Sequence, residues 1–279
     1  MITALDHFVL LCPDIESAAT DYQTLLGASP VWGAVNDGAA TAVFNTGNTA
    51  IELMAPSGDG AVADKLREMT ADGARLTSLV YRSDDIAGDH HIMTRRGLSP
   101  SEITDDGSED LSSKARRSWK RFRIPDEKMA GLKSFVLTPH TDLPAPDLGP
   151  GSATSLDHLV INTPNPERAV ATYGARLGLR FALDRTAEQW KTRFLFFRIG
   201  GLTLEVINRL GTDQDPSEND AIWGLTWETD DLAAAHARLG AAGRDISEIR
   251  TGRKPGSEVF TVRDGTQGVP TLFIAHSPR

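Results

Sequence analysis

Leu5-Asp6-His7-Phe8-Val9 opens a stretch that the chain carries twice, and Leu156-Asp157-His158-Leu159-Val160 opens the second copy. At a constant offset of 151 positions the match runs on through Pro13 and Pro164, Glu16 and Glu167, Tyr22 and Tyr173, to Leu26-Gly27 and Leu177-Gly178. Each copy reads as an apolar strand, a Pro-containing turn, an amphipathic helix and a Gly stop. A second echo follows: Ala50-Ile51-Glu52-Leu53-Met54 corresponds to Thr203-Leu204-Glu205-Val206-Ile207. A strand His and a strand Glu are thus duplicated together, and repetition on this scale decides the fold before any single element does.

The rest of the chain falls into the same frame. After each copy, short strands separated by Gly, Asn and Asp turns complete a β-α-β-β-β unit. A second unit begins with a strand at 76–82 and a helix capped by Asp84 or Asp85. A fourth begins likewise, since Thr229-Asp230-Asp231-Leu232-Ala233 echoes Ser83-Asp84-Asp85-Ile86-Ala87. The acidic, Ser-rich stretch 102–109 gives no reading. The segment 139–155 has four prolines and no apolar periodicity, which marks a linker. These observations divide the chain into a domain at 1–140, a mobile linker at 141–153 and a domain at 154–279.

Composition bounds the function. A chain of 279 residues, 40% hydrophobic and 24% charged, reads as a soluble globular protein. Its net charge of -9 argues against nucleic acid as a partner. No apolar run is long enough to span a bilayer, so no membrane partner is expected. The N-terminus has no basic leader and Cys12 is the single cysteine, which together place the protein in the cytoplasm.

Strand alternation locates the candidate site. It sets Asp6, Phe8 and Leu10 on one face of the first strand, and Leu5, His7, Val9 and Leu11 on the other. Glu52 and Glu205 oppose their apolar neighbours in the same way. His7, Glu52, His158 and Glu205 are therefore candidate ligands of a divalent metal such as Zn, Fe, Mn or Ni. Glu52 and Glu205 are also candidate catalytic bases. His140 and His276, each after a unit's last strand, are reserve ligands, while His90 and His236 fall on helices and read as solvated. One stretch of an acidic chain is basic: Arg116, Arg117, Lys120, Arg121 and Arg123 surround Trp119. Trp119, Arg121 and Arg123 share a strand face and are candidate substrate-binding residues for an anion; a charge-protected sheet edge is the competing reading.

Four β-α-β-β-β units in series, with Leu-Asp-His and Ile-Glu-Leu or Leu-Glu-Val at equivalent places, resemble the vicinal oxygen chelate superfamily. That is the glyoxalase, bleomycin-resistance and extradiol-dioxygenase group. The resemblance implies an α+β protein: four βαβββ modules forming two tandem domains with open eight-stranded cups. It also implies a metal-dependent lyase or isomerase acting on a small oxygenated organic molecule. A metal-free binding protein of the bleomycin-resistance kind, or a ring-cleaving dioxygenase, are the alternatives. The partners it admits are a small-molecule substrate, an anionic one included, and a second copy in a homodimer. The units differ in one respect: Ser78 and Gly224 stand where the histidines would recur, and Phe135 and Leu272 where the glutamates would. If neighbouring units share a cup, each cup holds one His/Glu half-site.

Overall fold

The computed structural model describes residues 1–277. Its first half contains β1 (Ile2–Leu11), α1 (Ile15–Leu26), β2 (Trp32–Asn36), β3 (Ala39–Asn45), β4 (Ala50–Pro56), α2 (Ala61–Met69), β5 (Arg75–Ser83), α3 (Ile86–Arg95), β6 (Thr104–Glu109), β7 (Arg116–Ile124) and β8 (Lys133–Pro139). The second half repeats it with β9 (Ser155–Asn162), α4 (Pro166–Ala169), β10 (Arg180–Ala187), β11 (Thr192–Ile199), β12 (Leu202–Arg209), β13 (Ala221–Glu228), α5 (Leu232–Ala241), β14 (Arg250–Thr251), β15 (Ser257–Val262) and β16 (Thr271–His276).

Local chemistry fixes the repeated helix. Asp14 accepts a hydrogen bond from the Ser17 amide at 2.7 Å and caps α1. Gly27 ends it at φ 70°, its N–H returning to the Gln23 carbonyl. A side chain there is excluded twice, by the left-handed backbone and by the Arg238 guanidinium 2.9 Å from an added Cβ. Ala18, Tyr22, Leu25 and Leu26 form the buried face. In the second copy, Asn165 caps α4, and the helix continues in π form over Val170–Arg176.

Each half forms one eight-stranded mixed sheet, ordered β2-β3-β4-β1-β5-β8-β7-β6 and β10-β11-β12-β9-β13-β16-β15-β14. Neighbouring units therefore share a cup, joined at its centre by antiparallel β1–β5 or β9–β13. The strand β6, illegible from composition, forms because its acids meet the basic β7: Glu109 opposes Arg116, and Asp106 reaches Arg121 at 2.5 Å. The edges of the first cup then meet. Trp32 Nε1 donates to Ser108 Oγ at 2.9 Å, the Gly33 amide to Asp110 at 2.8 Å, and the Leu111 amide to the Gly33 carbonyl at 2.8 Å. The second cup lacks this seam. There, only two residues pair as β14, and Arg253 lies over the Trp190 ring at 4.1 Å.

The helix-bearing faces of the two sheets pack back to back, with the cups opening outward. One continuous core joins them, and Phe8 of β1 meets Trp227 of β13 at 6.2 Å between ring centroids. Around it, Arg244 pairs with Asp21 at 2.8 Å, and Arg238 donates to the Leu25 carbonyl at the C-terminus of α1 at 3.0 Å. The segment 144–153 is hydrogen-bonded to the first half. Asn45 Nδ2 donates to the Pro144 carbonyl at 2.8 Å, Ser152 Oγ to the Gly27 carbonyl at 2.8 Å, and the Ala153 amide to the Leu26 carbonyl at 2.8 Å. Gly151, Ser152 and Ala153 are buried. Segments without periodicity are held here by hydrogen bonds whose partners lie far away in sequence.

Candidate functional site

A β-bulge builds the site. Pairing between β1 and β5 passes from Leu5↔Tyr81 to His7↔Val80, and between β9 and β13 from Leu156↔Trp227 to His158↔Thr226. One residue, Asp6 or Asp157, is extra in each case. Leu5 and Phe8 consequently both enter the core, which corrects the alternation expected from sequence. Asp6 joins His7 instead of Phe8, its carboxylate 2.8 Å from His7 Nδ1. Asp157 does the same to His158 Nδ1, also at 2.8 Å. The duplicated Asp-His dipeptide is thus a duplicated carboxylate–imidazole pair.

In the first cup His7 Nε2 stands 3.4 Å from Glu52 Oε2, so both ring nitrogens face carboxylates. Burial opposes the imidazolium, but the hydrogen bonds to Asp6 and Glu52 outweigh it and raise the His7 pKa to about 9. Asp6 is pulled below the ordinary carboxylate range; burial opposes this, and the His7 contact overcomes it. Below the pair the lining is apolar. Val9 and Leu11 pack with Leu66 of α2, with Met54 and Met69 alongside. The opposite wall is β7 with its neighbours. Trp119 faces the cup, Arg121 lies over the Phe135 ring at 5.7 Å, and Arg117 lies between Trp32 and Trp119. Arg123 turns instead to Asp126 at 2.9 Å at the end of the strand, half exposed.

This charge state has a measurable consequence. A raised histidine pKa adds stability that is complete below the unfolded value near 6.5 and is lost as pH rises through about 9. The unfolding free energy, measured by chemical denaturation, is expected to fall across that window by an amount on the order of 3 kcal/mol. Glu52→Gln should move the His7 NMR titration downward. A flat stability profile from pH 6.5 to 9 would contradict the double carboxylate contact.

In the second cup the same residues have diverged. Thr226 stands where Val80 does, and its hydroxyl lies 2.8 Å from His158 Nε2. Glu205 Oε2 is 3.6 Å from that nitrogen, and burial raises its pKa while the His158 charge opposes the rise. His276 joins this cup, its Nε2 2.8 Å from Asp157; His140 is exposed. Phe194, Val160, Ile207 and Ala187 form the apolar lining. The helix histidines are half-buried packing groups: His90 and His236 bond the Ser101 and Ser247 carbonyls and stack edge-on to Phe122 and Phe260.

His7 and Glu52 are therefore brought together, as are His158 and Glu205, but the two pairs lie in separate cups. The donor sets decide what a cup can hold. Ser78 and Phe135, Gly224 and Leu272 occupy the remaining ligand positions. A Cβ on Gly224 would stand 2.9 Å from the Pro270 carbonyl oxygen, so the histidine that a ring-cleaving triad needs has no room. Two protein donors fall short of the three used by catalytic zinc sites. Among the described residues no group of three or more His, Cys, Asp or Glu is placed to hold an ion. The residues present do not complete the coordination of a resident metal.

Sequence reading missed Asp6, Asp157, Thr226 and Arg117. The first two carried a usable signal, an Asp preceding the His in both copies. The other two acquire meaning only through strand register.

Two back-to-back sheets of β-α-β-β-β units, each curled into a cup with a His/Glu pair on its inner face, define a vicinal oxygen chelate protein. The chain belongs to the family described as "Glyoxalase-like domain", which it matches over residues 5–153, while residues 157–260 match the "Glyoxalase/Bleomycin resistance protein/Dioxygenase superfamily". An ethylmalonyl-CoA/methylmalonyl-CoA epimerase from Cereibacter sphaeroides is 37% identical over 91 residues. That match covers 31% of this chain and 65% of the epimerase, just under two thirds of its length. A variant of 4-hydroxymandelate synthase from Streptomyces coelicolor superposes with a TM-score of 0.69 at 13% identity, covering 99% of this chain and 93% of the synthase. A Mn(II)-bound glyoxalase from Novosphingobium aromaticivorans gives a TM-score of 0.65 at 15% identity, covering 98% and 82%. At these identities the likeness of the two structures is one of fold. No helix of the described residues is long and apolar enough to cross a membrane.

Proposed function

We propose that the first cup is the active site of an isomerase or lyase that moves a proton on a small oxygenated organic molecule. The observation that carries this reading is the Asp6–His7–Glu52 line. An imidazolium with a pKa of about 9 stands 3.4 Å from a carboxylate, and the two share one wall of a closed cup. Glu52 takes a proton from carbon next to a carbonyl, and His7 supplies one to the developing enolate oxygen. Asp6 orients the ring and keeps Nδ1 protonated. The epimerase relative supports the class, because inverting a carbon centre beside a carbonyl is such a transfer.

The test is hydrogen exchange. A panel of 2-oxo acids and 2-carboxyacyl thioesters is incubated with the protein in deuterated water, and loss of the carbon-bound proton is followed by NMR. Exchange that the Glu52→Gln variant abolishes is the expected result. No exchange across the panel returns the cup to binding alone, as in bleomycin-resistance proteins. A divalent ion on His7 and Glu52 would draw most of its coordination from water and ligand. A tight, stoichiometric metal lost in His7→Ala would therefore replace this reading with the metal-dependent one.

A further inference from the structure

Two cup-facing cations of the first sheet make no ion pair among the described residues: Lys133, whose Nζ meets only the Met69 sulfur at 3.8 Å, and Arg117. Arg82 reaches Asp142 at 2.5 Å and Asp6 at 3.7 Å, and Arg121 reaches Asp106 at 2.5 Å. Arg117 is different. Its guanidinium carbon lies 5.5 Å from the Trp32 ring centre and 5.7 Å from that of Trp119, within cation–π range of both. Its Nε donates to the Thr141 carbonyl at a long 3.4 Å. Among the described residues, neither terminal nitrogen makes a hydrogen bond or an ion pair. Asp6 and Glu52 act on it only through space, while burial opposes its charge. The terminal nitrogens are not among the buried atoms that lack a partner, so the fork opens into the cup and can donate to a ligand there.

The surroundings keep this fork in place. Trp32 is fixed by its bond to Ser108 across the cup seam, and Leu143 of the linker packs against the Trp32 cluster. Among the described residues the second cup holds no arginine between two indoles, although Arg253 lies over the Trp190 ring at 4.1 Å. Aligning the sheets through Phe135 and Leu272 sets Arg117, Trp119 and Arg121 against Pro255, Ser257 and Val259. Both cups hold the Asp-His and Glu residues and an arginine over an indole, and the first differs in setting its arginine between two.

We infer that Arg117, held between Trp32 and Trp119, is the receptor for the carboxylate of an organic acid whose flat or apolar body lies along the indoles. The guanidinium fork matches a carboxylate in two parallel hydrogen bonds. This deepens the proposed function, and it rests on that reading only where the bound acid is called the substrate. Arg117 binds, Glu52 and His7 react, and the two roles separate experimentally.

The experiment uses benzoate as the probe, with benzamide as its uncharged match and inorganic phosphate as a non-carbon anion. Binding to the full chain is followed by tryptophan fluorescence and by broadening of the probe's NMR lines. Benzoate is expected to saturate, with benzamide and phosphate at least tenfold weaker. Arg117→Gln should weaken benzoate at least tenfold and leave the melting temperature nearly unchanged, since the guanidinium makes no ion pair and its fork faces the open cup. Arg117→Lys, which keeps the charge and loses the fork, should fall between. Glu52→Gln should bind benzoate like the unmodified protein while losing any exchange activity. Equal binding of benzoate and benzamide would overturn the inference. So would phosphate binding as tightly as benzoate, benzoate affinity unchanged in Arg117→Gln, or no saturation by roughly 50 mM, far weaker than millimolar affinity.

Discussion

Replacing Trp227 by Ala is expected to destabilise the protein by about 3 kcal/mol, toward the low end of the range for deleting a buried aromatic. The side chain is fully buried and meets Phe8 across the junction of the two sheets. Deleting it leaves a void in a core shared by both halves. The value falls low because Trp227 Nε1 is buried without a hydrogen-bond partner, so truncation also removes an unsatisfied donor. Trp227→Phe separates the two contributions. It keeps most of the apolar volume and removes the orphan N–H, and its cost should be about 1 kcal/mol or less. Chemical denaturation measures both. If Trp227→Ala costs less than Trp227→Phe, or if unfolding of the first half is untouched by either, the sheets do not share a core.

That shared core marks where sequence reading stops. The duplicated strand, helix and His/Glu pairs are legible because alternation, capping and Gly stops are local, and repetition doubles each signal. The two cups follow from the family resemblance that the unit order and the repeated motifs carry, and which units share a cup is settled only by the strand pairing. The bulge is not legible, because nothing near Asp6 shows that β5 will skip it; only the partner strand's register does. Strand β6 shows the same dependence. Thr104–Glu109 has little strand propensity of its own and pairs because β7 offers arginines opposite its acids. Arg117 is one of several basic residues in its stretch. What singles it out is Trp32, brought beside it when the sheet curls until its edges meet. The segment 144–153 shows the same dependence: its prolines remove periodicity, and the groups that bond it belong to β3, α1 and the loop after it.

Glu52→Gln is expected to lower the exchange rate between a hundredfold and ten-thousandfold, the span removed when a positioned base is lost. The amide keeps the shape of the carboxylate and can still bond His7 Nε2, so folding should survive. What disappears is the lone pair that takes the proton, together with part of the charge that keeps His7 protonated. The companion change, Glu205→Gln, should leave the same rate within about twofold, well under the 1.4 kcal/mol that a tenfold effect represents. The residues are equivalent in sequence but not in setting. Glu52 faces an imidazole raised to about 9 in a cup whose far wall carries Arg117 and Arg121, whereas burial pushes Glu205 toward its protonated form against the opposing charges of His158 and Arg253. Holding the pH at 7.5 keeps His7 charged in the unmodified protein during the comparison. Equal losses in both variants would place the chemistry in both cups. A loss confined to Glu205→Gln would move it to the second.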